Sequence, residues 1–392
     1  RVRGAGVGRD RRGFDTRRRG GGVNGNVRGD GTNRASETRS RLEQRAGEHG
    51  SGRRGDVADI NRSTWERRLV TIPAVAGAWC VLTLGAPVWM PIAVVADAVR
   101  RRPLPILRLG AYGIVYLSAE IFAIVSASVL WVASGCGLAV KSAWSQRLHS
   151  AAQARWVAWL VAAAGRVLGL RISIAGADLM PPGPVIVLCR HTSLIDTLIP
   201  ATLAAERGMR VRYVLKSDLL WDPALDLFGH RLPNHFVDRS GSNTAAELRA
   251  LDALAAGAGT SDAVVIFPEG TRWSPTRQER LVERLRQSDP EAADAASTRR
   301  ATMPPRTAGT AALLGGNPTA DVVILMHSGL EGFTGLSDAL RSLPLARPVD
   351  VELRRVPRSE VPTDREQLSE WLHREWRQVD EWVANRLDRV GP

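Results

Sequence analysis

A histidine and an aspartate that could share a proton stand five residues apart, at His191 and Asp196. They follow the apolar run 185–189, which is short and rich in β-branched residues, as buried strands are. We expect this strand to end at His191 and a helix to begin at Thr192 or Ser193, so that Asp196 folds back toward the imidazole. A carboxylate on one ring nitrogen fixes the tautomer and leaves the other nitrogen free to accept a proton. The pair predicts a general base, although a capped helix start beside a structural histidine has the same spacing.

A second polar segment, Pro268–Arg272, follows another apolar run at 264–267. A glycine-containing turn after a strand lets backbone N–H groups approach an anion, and a guanidinium binds phosphate with two hydrogen bonds. The segment therefore predicts an anion site at a strand end. The alternative is a tight turn with a surface ion pair.

The two motifs in this order resemble the 1-acyl-sn-glycerol-3-phosphate acyltransferase family of membrane glycerolipid acyltransferases. That family carries His-x4-Asp first and Phe-Pro-Glu-Gly-Thr-Arg later. Between them, 236–239 is similar to its Phe-Ile-Asp-Arg block, with Lys216 upstream. Residues 304–309 resemble the Pro-Arg-Thr-Lys-Gly element of one branch, with Ala308 in place of the lysine. The family's last block, an apolar run with a proline, is matched least well, because 322–326 contains none.

The resemblance implies transfer of a fatty acyl group from acyl-CoA or an acyl carrier protein to the free hydroxyl of a lysophospholipid. The acceptor it favours is 1-acyl-sn-glycerol 3-phosphate, which would give phosphatidic acid. His191 and Asp196 would be catalytic, and no cofactor or metal is implied beyond the thioester co-substrate. The substrate-binding residues it implies are Lys216, Arg239, Glu269, Gly270, Thr271 and Arg272. From the expected helix start, we also predict that backbone N–H groups at 192–194 stabilise the oxyanion of the tetrahedral intermediate.

Other functions stay open from the sequence. The acceptor could be another lysolipid or glycerol phosphate. A lipid or thioester hydrolase could use the same histidine and aspartate on water, although no GxSxG nucleophile motif is present. A non-catalytic basic protein on membrane or nucleic acid would explain the net charge of +13, but not the acidic and basic residues at strand ends.

From residue 171 onward, the pattern alternates between strands and helices. Strands are predicted near 171–175, 184–189, 211–215, 263–267, 321–326 and 350–355, and helices near 193–206, 243–257, 276–287 and 363–388. Such alternation predicts an α/β fold with a mixed, largely parallel sheet flanked by helices, and with active-site loops at strand ends. Residues 288–302 are predicted to be an exposed insertion. Residues 151–170 suit an interfacial helix or a core-packing helix equally.

Two apolar segments precede this region, at 70–96 and 109–140. Each is long enough to cross about 30 Å of hydrocarbon, which favours a membrane-embedded helical hairpin over a pair of core helices. The hairpin either spans the membrane or dips into one leaflet, since arginines flank it on all sides and give no clear orientation. We expect the cell membrane as the location, with the catalytic domain on the cytoplasmic face.

The first 68 residues hold 18 arginines against nine acidic residues, and they contain few large apolar side chains. Such a segment cannot bury a core and is predicted to be disordered. Because the chain opens with Arg1 and its first methionine is Met90, we expect its start to be truncated or misplaced. The predicted division is a tail at 1–62, a hairpin at 63–150 and an α/β acyltransferase domain at 151–392. The expected partners are lipid, the thioester donor and the membrane, with no specific nucleic acid; the oligomeric state is left open.

Overall fold

The computed structural model describes residues 64–193, 195–238, 244–331, 333 and 335–390. The predicted tail at 1–62, Leu194 and Arg239 therefore lie outside the described residues. The chain divides into two units, Arg1–Trp65 and Glu66–Pro392, and the sheet and the site lie in the second. The predicted three-part domain division stays a prediction.

A seven-stranded sheet forms the centre of the second unit. Its strands are β1 Ile172–Ala175, β2 Val185–Cys189, β3 Arg210–Lys216, β4 His235–Val237, β5 Asp262–Ile266, β6 Asp321–Ser328 and β7 Val349–Val356. Their order is β1-β7-β6-β2-β5-β3-β4, and every neighbouring pair is parallel except β6 and β7. The predicted mixed, largely parallel sheet is confirmed.

Helices cover both faces of the sheet. In chain order they are α1 Thr64–Leu84, α2 Ala86–Val99, α3 Pro105–Ala133, α4 Ala143–Ala163, α5 Leu198–Glu206, α6 Pro223–Arg231, α7 Thr244–Ala256, α8 Pro275–Ser288, α9 Pro290–Ser297, α10 Thr307–Gly316, α11 Leu336–Ser342 and α12 Arg365–Val390. Alternate residues of β2 belong to opposite cores: Val185 and Val187 pack on one face, and Ile186 and Leu188 on the other. Burial on both faces explains why β2 is continuously apolar.

Two local predictions were wrong. The helix expected at Thr192 or Ser193 begins at Leu198, after a 3₁₀ turn at Ile195–Thr197, because the Asp196 side chain binds the preceding backbone and holds it out of the helix. Residues 288–302 are not simply an exposed insertion. They contain α9, whose Ala293 and Ala296 are buried, since alanines three apart give this short helix a small apolar face against α8.

The apolar segment predicted at 70–96 forms two helices, with a break at Gly85. Pro87 lies in the first turn of α2 and has no N–H with which to continue α1. By length and composition, α1 and α3 are the two described helices that could cross a membrane. Their outer surfaces are strongly apolar: Val81 is 76 % exposed, and Val129 on α3 is 60 % exposed.

Helix α3 lies along the α/β domain rather than apart from it. Near its start, the Arg108 guanidinium donates to the Val167 carbonyl at 2.7 Å. Near its end, the Arg231 guanidinium donates to the Ala127 carbonyl. These two attachments are about 28 Å apart along the helix, at 1.5 Å per residue. The same domain therefore holds both ends of α3.

Helix α4 fills the space between α3 and the domain. Trp156, Val157 and Leu160 are buried there, together with small residues of α3 and apolar residues of α6. Trp159 remains 42 % exposed on the opposite face. This packing supports the core-helix alternative for the inner face of 151–170.

Candidate active site

His191 and Asp196 meet at the end of β2, in the arrangement expected from their spacing. The Nδ1 atom of His191 lies 3.1 Å from Oδ1 and 3.2 Å from Oδ2 of Asp196. The carboxylate is fully buried, whereas the imidazole is 19 % exposed. Burial opposes ionisation of Asp196, but the hydrogen bond and charge of His191, together with nearby donors, hold the pKa of this carboxyl below its usual value. An ionised partner on Nδ1 leaves Nε2 as the ring atom that can accept a proton.

The backbone N–H groups of this turn have a different role from the predicted one. Thr192 N and Ser193 N both donate to Asp196 Oδ2, at 2.7 and 2.8 Å. Because the aspartate already occupies these two donors, they are not free for an oxyanion. The prediction of an oxyanion site at 192–194 was therefore wrong for residues 192 and 193, and Leu194 is outside the described residues.

Glu269 fixes the backbone that carries His191. Its Oε1 accepts a hydrogen bond from His191 N at 3.0 Å, and its Oε2 accepts one from Met303 N at 2.7 Å. The His191 carbonyl in turn accepts from Trp273 N at 2.8 Å. The histidine backbone is thus held on both sides by the segment that follows β5.

The Glu269 side chain is shielded from solvent. The residue is only 2 % exposed, and burial raises the pKa of its carboxyl to about 8, although the two N–H donors and the Arg190 charge oppose this rise. Glu269 does not line the cavity described next, whereas Gly270, Thr271 and Arg272 do. Both carboxylate oxygens are used inside the protein, so this geometry favours a structural role, and the predicted substrate-binding role of Glu269 stays a prediction.

A cavity of about 860 Å³ opens beside His191. One part is mostly apolar and lies among α3, α4 and α5; it is lined by Tyr112, Tyr116, Trp156, Val157, Leu160 and Leu198. Another part is cationic and is lined by Gly270, Thr271, Arg272, Arg277 and Arg306. The same space can therefore accommodate a hydrocarbon chain and an anion, with the imidazole on its wall.

Two arginines dominate the cationic part. Gly270 has a left-handed φ of +67°, and the Arg306 side chain lies over it: a Cβ built on Gly270 would be 3.2 Å from Arg306 Nε. In the described part of the chain, no carboxylate lies within ion-pair distance of the Arg272 or Arg306 guanidinium. Two cations without acidic partners in one cavity suit a phosphate.

The remaining predicted residues have different positions. Lys216 lines the cavity, but its ammonium group contacts the Asp218 carboxylate, and the lysine is half-exposed. Arg239 cannot be placed, because it lies outside the described residues. Its neighbour Asp238 lines the cavity, so the chain passes close to the site there.

Sequence reasoning missed two residues close to the site. Arg306 could have been found, since it belongs to the Pro-Arg-Thr element already recognised at 304–309. His327, on β6, lies 3.6 Å from Asp196 Oδ2 through its Nε2 atom. Nothing in the sequence marks it, because its proximity comes from the pairing of β2 with β6. Across the described ranges, no cluster of three or more His, Cys, Asp or Glu side chains could hold a metal ion.

Comparison with known proteins agrees with the motifs. Residues 171–308 match the family model described as Acyltransferase. Over 223 residues the chain is 28 % identical to 1-acyl-sn-glycerol-3-phosphate acyltransferase epsilon of Mus musculus, an alignment that covers 53 % of this chain and 59 % of that protein. The chain thus spans about three-fifths of the length of this relative.

A crystal structure of the 1-acyl-sn-glycerophosphate acyltransferase PlsC from Thermotoga maritima is similar at a TM-score of 0.39 and 14 % identity, covering 68 % of this chain and 97 % of that one. The stretch that matches the family model contains His191, Asp196 and the whole Pro268–Arg272 turn. The resemblance predicted from the motifs is confirmed by these matches, which centre on residues 171–308.

Proposed function

We propose that this protein is an O-acyltransferase that moves a fatty acyl group from an acyl thioester to the free hydroxyl of a lysophospholipid. The acceptor that suits the site best is 1-acyl-sn-glycerol 3-phosphate, which would yield phosphatidic acid. One observation carries the proposal: His191, paired with Asp196, faces the same cavity as an apolar chamber and as Arg272 and Arg306, which form no ion pair with any described carboxylate. A base, an anion site and a hydrocarbon site in one space are what an anionic lysolipid requires.

The chemistry follows from the pairing of the imidazole. Nε2 of His191 removes the proton of the acceptor hydroxyl as its oxygen attacks the thioester carbonyl, and Asp196 stabilises the imidazolium that forms. The tetrahedral intermediate collapses with cleavage of the carbon–sulfur bond. The imidazolium then returns the proton to the leaving thiolate, which releases the ester and a free thiol. No acyl-enzyme and no cofactor are needed in this sequence.

The acceptor phosphate is assigned to Arg272 and Arg306. Both line the cationic part of the cavity, and the left-handed turn at Gly270 leaves room for the Arg306 side chain to lie against it. Arg239 is included from the family block, and Lys216 is retained as a candidate to stabilise the oxyanion. Since Thr192 N and Ser193 N bind Asp196, the oxyanion donor must come from elsewhere in the cavity wall.

Attachment to one leaflet fits the helices better than spanning does. Both ends of α3 are hydrogen-bonded to the same α/β domain, at Val167 and Arg231, which supports a helix that lies along that domain. Its outer face and that of α1 remain apolar, as in helices that lie in the interface. We place the protein on the cytoplasmic face of the cell membrane, where a lipid acceptor and a water-soluble thioester carrier can both reach the cavity.

The test is an acceptor panel with purified protein, labelled acyl-CoA and acyl carrier protein thioester. Lysophosphatidic acid, glycerol 3-phosphate and neutral lysolipids are compared, and products are separated by chromatography. New phosphatidic acid supports the proposal. If a different acylated product forms, the acceptor is the compound that was acylated and not lysophosphatidic acid. Free fatty acid alone indicates a hydrolase. No turnover with any donor overturns the proposal.

Variants connect the result to the site. His191→Ala should abolish turnover, because it removes the Nε2 atom that accepts the proton of the acceptor hydroxyl. Arg272→Ala should raise the KM for lysophosphatidic acid more than the KM for the donor, and it should have little effect on a neutral lysolipid. Arg284→Ala is the matched control, since Arg284 is an exposed arginine on α8 that does not line the cavity. Equal effects of Arg272→Ala on both substrates would remove its phosphate assignment.

A further inference from the structure

A second histidine lies behind the catalytic pair. His327 is fully buried near the end of β6, and the Asp196 carboxylate lies next to both His191 and His327. Its Nε2 atom is 3.0 Å from the Arg190 carbonyl oxygen and 3.6 Å from Asp196 Oδ2. The proposed mechanism gives this residue no role.

The hydrogen bonds of His327 define its tautomer. A carbonyl oxygen can only accept, so Nε2 must carry the hydrogen that binds Arg190 O. Within the described part of the chain, Nδ1 has no hydrogen-bond partner. Burial also lowers the pKa of this histidine. His327 is therefore a neutral ring whose N–H dipole points toward the Arg190 carbonyl and the neighbouring Asp196 carboxylate.

These contacts act on the peptide that carries the catalytic base. The Arg190 carbonyl belongs to the peptide bond between Arg190 and His191. The Arg190 side chain also contacts β6: its guanidinium donates a hydrogen bond to the His327 carbonyl at 2.7 Å. It also binds the Glu331 carboxylate and the Ala301 carbonyl. The end of β2 is thus bonded to β6 on both sides of the peptide.

We propose that His327 is a positioning residue, whose N–H fixes the Arg190–His191 peptide and whose dipole supports the Asp196 carboxylate, so that the His191 ring is held in one orientation. The 3.6 Å separation is too long for a hydrogen bond, so its effect on Asp196 is that of an oriented dipole. The role in turnover rests on the proposed function, whereas the effect on His191 itself does not. His327 lies just after the segment that matches the family least well, so the motifs gave no sign of it.

The experiment measures His191 directly, without a substrate. Diethyl pyrocarbonate modifies only the unprotonated imidazole, and mass spectrometry of the His191 peptide gives its reaction rate as a function of pH. His327→Leu removes the dipole, so the Asp196 carboxylate should bind the protonated ring more strongly. The midpoint of the His191 curve should then rise by about half a pH unit. His327→Gln can place an amide N–H where Nε2 was and should restore the wild-type midpoint.

Other charged and titratable groups also face this centre and must stay constant across the series. They are Cys189, Arg190, Tyr213, Glu269 and Glu331, contributed by β2, β3, the turn after β5 and the turn after β6. None of them is changed by the variants. Met326→Ala is the matched control, because Met326 is the preceding residue of β6 but packs into the core on the other face of the sheet.

Turnover provides the second measurement. His327→Leu should lower kcat by roughly 10- to 100-fold with little change in KM, since misplacing a base by a fraction of an ångström affects the chemical step more than binding. The acid limb of its pH–rate profile should move up with the His191 midpoint. A purely structural defect would lower the plateau without moving that limb. If His327→Leu does not fold, His327→Asn replaces it, because its shorter amide cannot reach the Arg190 carbonyl.

The outcomes separate the two proposals. A midpoint that rises in His327→Leu or His327→Asn but not in His327→Gln or Met326→Ala supports the positioning role, even if no acceptor is acylated and the proposed function fails, whereas a midpoint that falls overturns it. Coincident midpoints in all variants overturn the positioning role, even if acyl transfer is observed. An equal shift in His327→Gln and His327→Leu also overturns it, because the N–H group would then not be the cause.

Discussion

Replacing Glu269 by glutamine tests whether this carboxyl is structural. In the folded protein, burial raises its pKa from an ordinary value of 4.5 to about 8. Between these values the unfolded chain has lost the proton while the folded protein still holds it. The contribution of Glu269 to stability is therefore complete below pH 4.5 and is lost as the pH rises through 8. The loss is about 1.4 kcal/mol per pH unit.

Glutamine has nearly the shape of the protonated carboxyl and does not titrate. Any pH-independent change that Glu269→Gln makes in the free energy of unfolding cancels when two pH values are compared. Between about pH 5.5 and about pH 7.5, the free energy of unfolding of the wild type should fall by about 2.5 kcal/mol relative to the variant. Because Glu269 does not line the cavity, the KM for the acceptor should stay within about twofold while kcat falls with any shift of the His191 backbone.

The assay is denaturant unfolding of both proteins in detergent at several pH values, followed by tryptophan fluorescence. Glu331→Gln is the matched control: burial opposes ionisation of Glu331, but the Arg190 charge outweighs it and holds the pKa of this carboxyl below its ordinary value. The free energy of unfolding of Glu331→Gln should differ from that of the wild type by a constant amount over the same pH range. Parallel curves for Glu269→Gln, with a KM for the acceptor raised about tenfold, would refute the structural assignment and restore a substrate-binding role.

Three further changes test other parts of the site. Asp196→Asn should lower kcat by about 10²–10⁴, because an amide facing Nδ1 reverses the tautomer and leaves no base at Nε2; normal turnover at neutral pH would contradict the pairing. Arg306→Ala should raise the KM for an anionic acceptor about tenfold and leave a neutral lysolipid unaffected, as measured in the acceptor panel; an equal effect on both acceptors would exclude a phosphate contact. Val129→Asp, on the exposed face of α3, should weaken flotation with lipid vesicles while the melting temperature is kept, and unchanged vesicle binding would show that this face does not meet lipid.

Much of the α/β domain could be predicted from local sequence. Each of the six predicted strands is present to within two residues. The central strands β2, β5 and β6 are buried on both faces and are therefore largely continuous apolar runs, whereas β1 alternates between half-buried and exposed residues and β7 largely between buried and half-buried ones. β4 was missed, since three residues at His235–Val237 are too few to show a pattern. Helices α6 and α10 were missed for a related reason: they are short and have no exposed, polar face to give a clear period.

The contact between His191 and Asp196 could also be predicted, because its geometry is local. Five residues of chain separate His191 from Asp196, and a turn after a strand is enough to bring them together. The details of that turn were not predictable. The Asp196 side chain accepts hydrogen bonds from Thr192 N and Ser193 N, so the helix begins only at Leu198. The same two hydrogen bonds use the N–H donors that were predicted to bind an oxyanion.

The sequence by itself therefore determined the fold class and the pairing of His191 with Asp196, and it predicted a turn at Pro268–Arg272. Only the tertiary structure decided that Glu269 faces inward to His191 N, that Arg306 lies over Gly270 and that His327 lies beside Asp196. The physical reason is that these contacts join segments that the fold brings together but that lie 36 to 131 residues apart in the chain. The direction of each side chain depends on backbone positions that are fixed only when β2, β5 and β6 are paired.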